Sequence, residues 1–284
     1  MKMNRMSGYR HYAFLLGALL WAGTVRAQSD GGDSLAAFRP LAAMARLYQH
    51  GAVRLDLHLR QEARPVTNAS DTLEADMEVY YGKPDEYVKA EGLEEIVNDS
   101  VVLLVNTPAR RMLRFHNTPE LKKSLDHNTL LWKPDSSLAE LSKKYHAMVN
   151  HVGAGQTVLV LTSRKLVYGT QLPNERIELL YQESNGEPLQ CTQTRVSLVP
   201  VDSGVYTELE KQEGYAGKLL TVSGQQGPLF FIVKELTTVC YFRKLDFAVR
   251  RPPVREEDRV VLTSDGGYRP APGFEDYLLT QENE

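Results

Sequence analysis

Cysteine is scarce in this chain: two among 284 residues, Cys191 and Cys240. That excludes a disulfide-dense scaffold, and the lack of a Cys-x-x-Cys pair argues against a thioredoxin-type redox role. Positive charge is not in excess, with 33 Lys and Arg against 36 Asp and Glu. A partner recognised through its phosphates needs a basic face, so this balance argues against nucleic acid. No Gly-x-Ser-x-Gly elbow is present to carry a serine nucleophile. His58, His116, His127, His146 and His151 include no pair at the helical i, i+4 spacing of zinc ligands. The run Gly153-Ala154-Gly155-Gln156-Thr157 precedes a strand, whereas a phosphate-cradling loop follows a strand and opens a helix. Glu91, Glu94 and Glu95 form an acidic cluster. Acid catalysis needs a carboxyl in a dry pocket, and these three read as an exposed acidic loop. The expectation is a protein without enzymatic activity, metal or cofactor.

Long hydrophobic runs are also missing. The apolar stretch from Ala13 to Thr24 is about a dozen residues, short of the roughly 20 that span a bilayer as a helix. Lys2, Arg5 and Arg10 precede it and Val25-Arg26-Ala27 closes it, the pattern of a secretory signal peptide over residues 1–27 cut after Ala27. Gln28 follows the cut, so no lipid-bearing cysteine tethers the product. The expected location is the periplasm or beyond. Removing Lys2, Arg5, Arg10 and Arg26 leaves 29 positive residues against 36 negative, a net charge of −7. In an oxidising compartment Cys191 and Cys240 are expected to form one disulfide, worth roughly 4 kcal/mol for a loop of about fifty residues. The alternative is a pair of buried thiols acting as small apolar fillers.

Two periods organise the remainder. Leu35, Phe38, Leu41, Ala42, Ala45 and Tyr48 fall near helical spacing, with Pro40 to break the helix and Gly51 to stop it. Val53, Leu55, Leu57 and Leu59 then alternate with Arg54, Asp56, His58 and Arg60, which marks a strand. Residues 72–115 read as four antiparallel strands, with reversals at Gly82-Lys83-Pro84-Asp85, Asn98-Asp99-Ser100 and Thr107-Pro108-Ala109-Arg110. Thr118-Pro119-Glu120 starts a helix, and Ser137-x-x-Glu140 starts another whose stripe is Leu138, Leu141, Tyr145, Met148 and Val149. Strand character returns over 157–162, 176–181, 189–199, 219–223 and 229–247, with a hairpin turn at Asn185-Gly186. About ten strands with short connections predict a mainly β (α+β) fold: one antiparallel sheet curled into a barrel or half barrel. It occupies 28–249 as a single domain, with a polar, proline-rich tail over 250–284 that hangs loosely or lies along the surface. Phe274, Tyr277, Leu278 and Leu279 in that tail are suited either to docking on the barrel or to holding a partner.

If the sheet curls, one set of apolar side chains lines its concave side: Leu55, Leu57, Met77, Val79, Tyr81, Leu103, Val105, Leu113, Tyr145 and Met148. In a closed barrel such residues fill one another's space. In an open barrel under a helical lid they face a groove fit for an acyl chain.

The order of helix, alternating strand, MEVYYGKPDEYVKAE and EEIVNDSVVLLVNTPARRMLRF resembles the LolA and LolB carriers, over about residues 34–116. Gly82-Lys83-Pro84 matches their Gly-x-Pro turn between strands, and Ser100 stands where glycine is common in their next hairpin. The resemblance implies an incomplete antiparallel barrel, with an N-terminal helix and a short helical lid, around an acyl-binding cavity. It implies a periplasmic carrier whose partner is a lipid or a lipoprotein acyl chain. The other reading left open is an envelope interaction module with a filled core, which holds a partner protein through an edge strand or the tail.

Overall fold

The computed structural model describes residues 36–38, 41, 51–82, 84–121, 137–225 and 227–281. The leader over 1–27, its cut after Ala27 and most of the first helix lie outside the described residues. So does the expected helix from Pro119 beyond Leu121; its start is present, capped by Thr118 Oγ1, which accepts from the Leu121 N–H at 3.2 Å.

Among the described residues the chain is built on β1 (Val53–Arg64), β2 (Thr72–Gly82), β3 (Asp85–Ala90), β4 (Leu93–Val97), β5 (Val101–Asn106) and β6 (Arg111–His116). Helix α1 (Ser137–Lys144) leads into β7 (Tyr145–Gly153), β8 (Gln156–Ser163), β9 (Glu175–Gln182) and β10 (Pro188–Val201). After α2 (Ser203–Leu209) come β11 (Leu219–Gly224) and the long β12 (Gly227–Asp246), then β13 (Val260–Leu262), β14 (Tyr268–Pro270) and β15 (Leu278–Gln281). Thirteen strands form one sheet in the order β15-β6-β5-β4-β3-β2-β1-β12-β10-β9-β8-β7, with β11 beside β12. The two end strands do not pair with each other, so the sheet is open. A twisted sheet of this width curls rather than staying flat. The expected mainly β, unclosed architecture is therefore present.

Strand β12 holds the two halves together. Its 20 residues pair with β11 over Gly227–Ile232, with β10 over Phe230–Tyr241 and with β1 over Glu235–Asp246. A loop between β1 and β2 fastens it further. Asp71 accepts from the backbone N–H groups of Thr67 and Asn68 (2.6 and 3.0 Å) and pairs with Lys234 Nζ at 2.5 Å. Burial pushes the Asp71 carboxyl up, but the hydrogen bonds from Lys234, Thr67 and Asn68 outweigh it and hold the group below its ordinary value of 3.8.

Three expectations are corrected. Residues 72–115 form five strands, because Glu91 and Gly92 at φ 46° and 77° make a two-residue hairpin between β3 and β4. The helix begun at Ser137 ends at Lys144, and Tyr145–Gly153 is a strand, so the Tyr145–Met148–Val149 stripe is not helical. Its side chains alternate with period 2, and His146, Met148 and Asn150 pair with residues of β8 that face away from Tyr145. The tail, finally, is docked and ordered rather than loose. Strand β15 adds in parallel to β6, Leu278 to Gln281 beside Arg111 to Arg114, and residues 249–279 cover the neighbouring face.

The sheet thus has two faces, each with its own core. On the inner face Phe38 and Leu41 pack on Val53, Leu55, Leu57, Leu59, Met77 and Val79, together with Leu159, Leu161 and Leu179 from the far strands. On the outer face Tyr80, Tyr87, Ile96, Leu103, Val105 and Met112 pack under Val254, Val260, Tyr268, Phe274 and Leu279 of the C-terminal segment. Arg259 clasps the buried Glu94 carboxylate with two hydrogen bonds, 2.7 and 3.2 Å, and lies over the Phe274 ring at 4.7 Å. Arg114, also buried, pairs with Glu256 at 2.8 Å and lies over Tyr268 at 3.7 Å. Removing one partner of such a pair strands a charge out of water at a cost of about 3–5 kcal/mol.

Arg259→Ala is therefore expected to lower the free energy of unfolding in urea by about 3 kcal/mol and to expose the segment after Asp246 to limited proteolysis. The Asp71 contribution is fully present above pH 3.8 and is lost as pH falls through the lower native value. Stability measured between pH 5 and pH 2.5 should fall more steeply in the natural protein than in Asp71→Asn.

Candidate functional site

Cross-strand pairing fixes which side chains share the inner face. One row runs Leu245, Leu55, Val79, Val88, Glu95, Leu104 and Leu113 from β12 to β6. The rows on either side are Val53, Tyr81, Glu86, Val97, Val102 and Phe115, and Leu57, Met77, Ala90, Leu93, Asn106 and Arg111. The β1–β2 end of these rows is absorbed into the inner core: Leu55 and Val79 are fully buried and Leu57 and Met77 nearly so, with Tyr81 packed at its margin. The β4–β6 end is different. Leu93, Val97, Leu104, Leu113 and Phe115 are only half-buried, and with the buried Val102 they join neither core among the described residues. They form an apolar floor roughly 14 Å wide from β3 to β6 at the usual strand spacing.

Of the ten residues expected in the groove, the structure brings only some together. Leu55, Leu57, Met77 and Val79 lie on the inner face but serve as core, and Leu113 lies on the half-buried floor. Leu103 and Val105 face the other way, fully buried under the C-terminal segment. Strand β5 carries five apolar residues in succession, Val101 to Val105. Alternation cannot assign a face to such a run. Tyr145 reaches the inner core at its far edge, where its hydroxyl donates to Glu175. Burial, then that hydrogen bond, pushes its pKa up. Met148 points to the opposite face and is 54% exposed.

Sequence reasoning missed Glu95, Leu104 and Phe115. The signal was the Glu91-Gly92 turn: pairing Ala90 with Leu93 across it puts Leu93, Glu95 and Val97 on the same side as Val79. Glu94 and Glu95 are then not a loop cluster but neighbours on opposite faces. Glu94 is clasped by Arg259 and also lies 3.6 Å from Lys89. The Glu95 carboxyl stands between Val88 and Leu104, and desolvation holds it above the usual carboxylate range.

The expected disulfide is also corrected. Cys191 and Cys240 lie directly opposite each other on β10 and β12, but both are free thiols buried in the inner core, among Leu59, Leu179 and Leu159. They pack as small apolar side chains. Burial pushes the Cys240 thiol up to about 12 and raises that of Cys191 as well. His146 and His151 stand on the exposed edge strand β7, and among the described residues no group of three or more His, Cys, Asp or Glu is placed to hold a metal.

Fold and site define a class: an open, mostly antiparallel sheet whose inner face is part core and part half-buried apolar floor, with no described helix long and apolar enough to cross a membrane. Structures similar to the chain include an uncharacterised conserved protein of Thermus thermophilus, 9% identical, with a TM-score of 0.35 over 87% of this chain and 99% of that one. A LolA superfamily protein of Nitrosomonas europaea is 11% identical, with a TM-score of 0.27 over 78% and 96%. A Vibrio parahaemolyticus domain named for outer-membrane lipoprotein sorting is 12% identical, with a TM-score of 0.29 over 79% and 95%. No family model and no curated protein matches the sequence.

The thiolate is the form that reacts, so thiols this deeply buried and weakly acidic are inert. Ellman's reagent at pH 8 should find almost no reactive thiol in the native protein and two per chain after unfolding in guanidinium, without added reductant.

Proposed function

We propose that this is an exported, non-catalytic carrier that holds the acyl chain of a lipid or lipoprotein against the β4–β6 floor. The observation that supports it is that Leu93, Val97, Leu104, Leu113 and Phe115 share one face yet are half-buried and belong to neither packed core. Binding is by shape and apolar contact, with no covalent step. At about 0.8 kcal/mol for each buried CH₂, ten methylenes supply about 8 kcal/mol, the scale of a micromolar complex before association costs. The leader-like residues 1–27 favour a periplasmic site of action, where a cover for an acyl chain in transit between membranes is useful.

The reading as an interaction module draws on β7, which ends the sheet order and shows Met148 and Val152 to solvent. Its other proposed contact, the tail, is already engaged by the outer face. The carrier reading therefore uses more of what the fold presents.

Delipidated protein should take up a fluorescent fatty acid with a micromolar Kd. Leu104→Ser and Phe115→Ser are expected to weaken uptake at least fivefold, while Met148→Ser on the other face leaves it unchanged. Failure of the natural protein to bind a fluorescent acyl probe with a cationic, a neutral or an anionic head would remove the carrier reading.

A further inference from the structure

Glu95 is the anomaly of the inner face. Its row is otherwise Leu245, Leu55, Val79, Val88, Leu104 and Leu113, and a half-buried carboxylate set among them loses part of its water and gains no partner among the described residues. Another inner-face carboxylate, Glu175, shows the contrast: it accepts from Tyr145, from Gln193 and from Arg195 Nε at 3.1 Å. No hydrogen bond or ion pair reaches Glu95 from the described residues. The groups that share its part of the face are Glu86, diagonal to it on β3, Asn106, diagonal to it on β5, and Arg111 beyond on β6. The Asn106 side chain already accepts from the Ala109 N–H at 2.9 Å. The Glu95 carboxylate therefore sets the sign of the field over the floor at this point.

We infer that Glu95 is the recognition point of the groove for the polar end of its ligand, and that it selects amphiphiles with a cationic, amine-bearing head over those with an anionic one. This rests on the carrier reading of the same floor. An ammonium group beside Glu95 replaces the solvation the carboxylate has lost, and the chain behind it lies on Leu104, Leu113 and Phe115. A carboxylate head in the same place meets like charge. Replacing Glu95 by leucine would complete an apolar row, so the position serves a purpose other than packing.

The test compares dodecylammonium, dodecanoate and dodecanol at pH 8 by titration calorimetry, below their micellar concentrations, on delipidated full-length protein. The natural protein should bind dodecylammonium at least tenfold more tightly than dodecanoate. Glu95→Gln should bring the two within about threefold, with dodecanol little changed. Glu208→Gln, which removes an equal charge from an exposed helix remote from the floor, should leave the tenfold ratio intact. Because Glu95→Gln relieves a desolvated charge, its melting temperature should equal or exceed that of the natural protein, so loss of fold does not confound the result. If all three probes bind but Glu95→Gln leaves the ratio unchanged, or if dodecanoate is preferred, the role of Glu95 is overturned while the groove stands. If none of the three binds, the carrier reading itself fails and the inference falls with it.

Discussion

The pairing of β1 with β12 is the constraint on which the rest depends. It joins residues 54–64 to 235–246, the longest step in sequence between any two neighbours in the antiparallel part of the sheet. Local hairpins build β2 to β6 on one side and β7 to β10 on the other, and only this seam makes them one surface. Closing so large a loop costs entropy that the ladder alone does not repay. The seam is therefore reinforced from the inner face, where Leu55, Leu57 and Leu59 of β1 and Cys240 and Phe242 of β12 share a core. The Asp71–Lys234 clamp fastens the loop after β1 to β12 near the other end of the seam.

Because the sheet does not close, both its faces need cover, and the chain supplies it unequally. The outer face of β2 to β6 is sealed by residues 249–279, and two buried arginine–glutamate pairs fix the position of that strap. The inner face near β1 and β2 is sealed by Phe38 and Leu41. Among the described residues, what is left half-covered is the inner face of β4 to β6, the apolar surface on which the proposed acyl chain would lie.

Glu95 adds nothing to the packing of this row, in which its neighbours Val88 and Leu104 are apolar. The same strand shows the alternative: Glu94, one residue earlier and on the opposite face, is met by Arg259 and Lys89. One carboxylate is matched within the fold, and the other has no partner among the described residues. That asymmetry connects the packing of the sheet to the chemistry of the proposed site, since the strap that neutralises Glu94 lies on the face opposite the β4–β6 floor.

Much of this was legible from residue order. The alternation in β1 and β2, the turns at Gly82 to Asp85 and Asn98 to Ser100, and the mainly β architecture follow from local periods and turn chemistry, whereas an unclosed barrel was implied only by the resemblance to the LolA and LolB carriers. Local pattern also placed Leu113 on the inner face and offered buried thiols as the alternative to a disulfide. It failed where an assignment needed a distant partner. Val101 to Val105 are apolar throughout, and only the docked C-terminal strap assigns Leu103 and Val105 to the outer face. Tyr145 to Val149 fit a helical stripe as well as a strand, and pairing with β8 decided for the strand. The acidic run at 91–95 looked uniform until the turn at Gly92 and the arrival of Arg259 separated its members. Periodicity, in short, determines how a segment folds and which of its residues move together. Tertiary structure decides which of two faces is covered, because burial depends on segments far away in sequence.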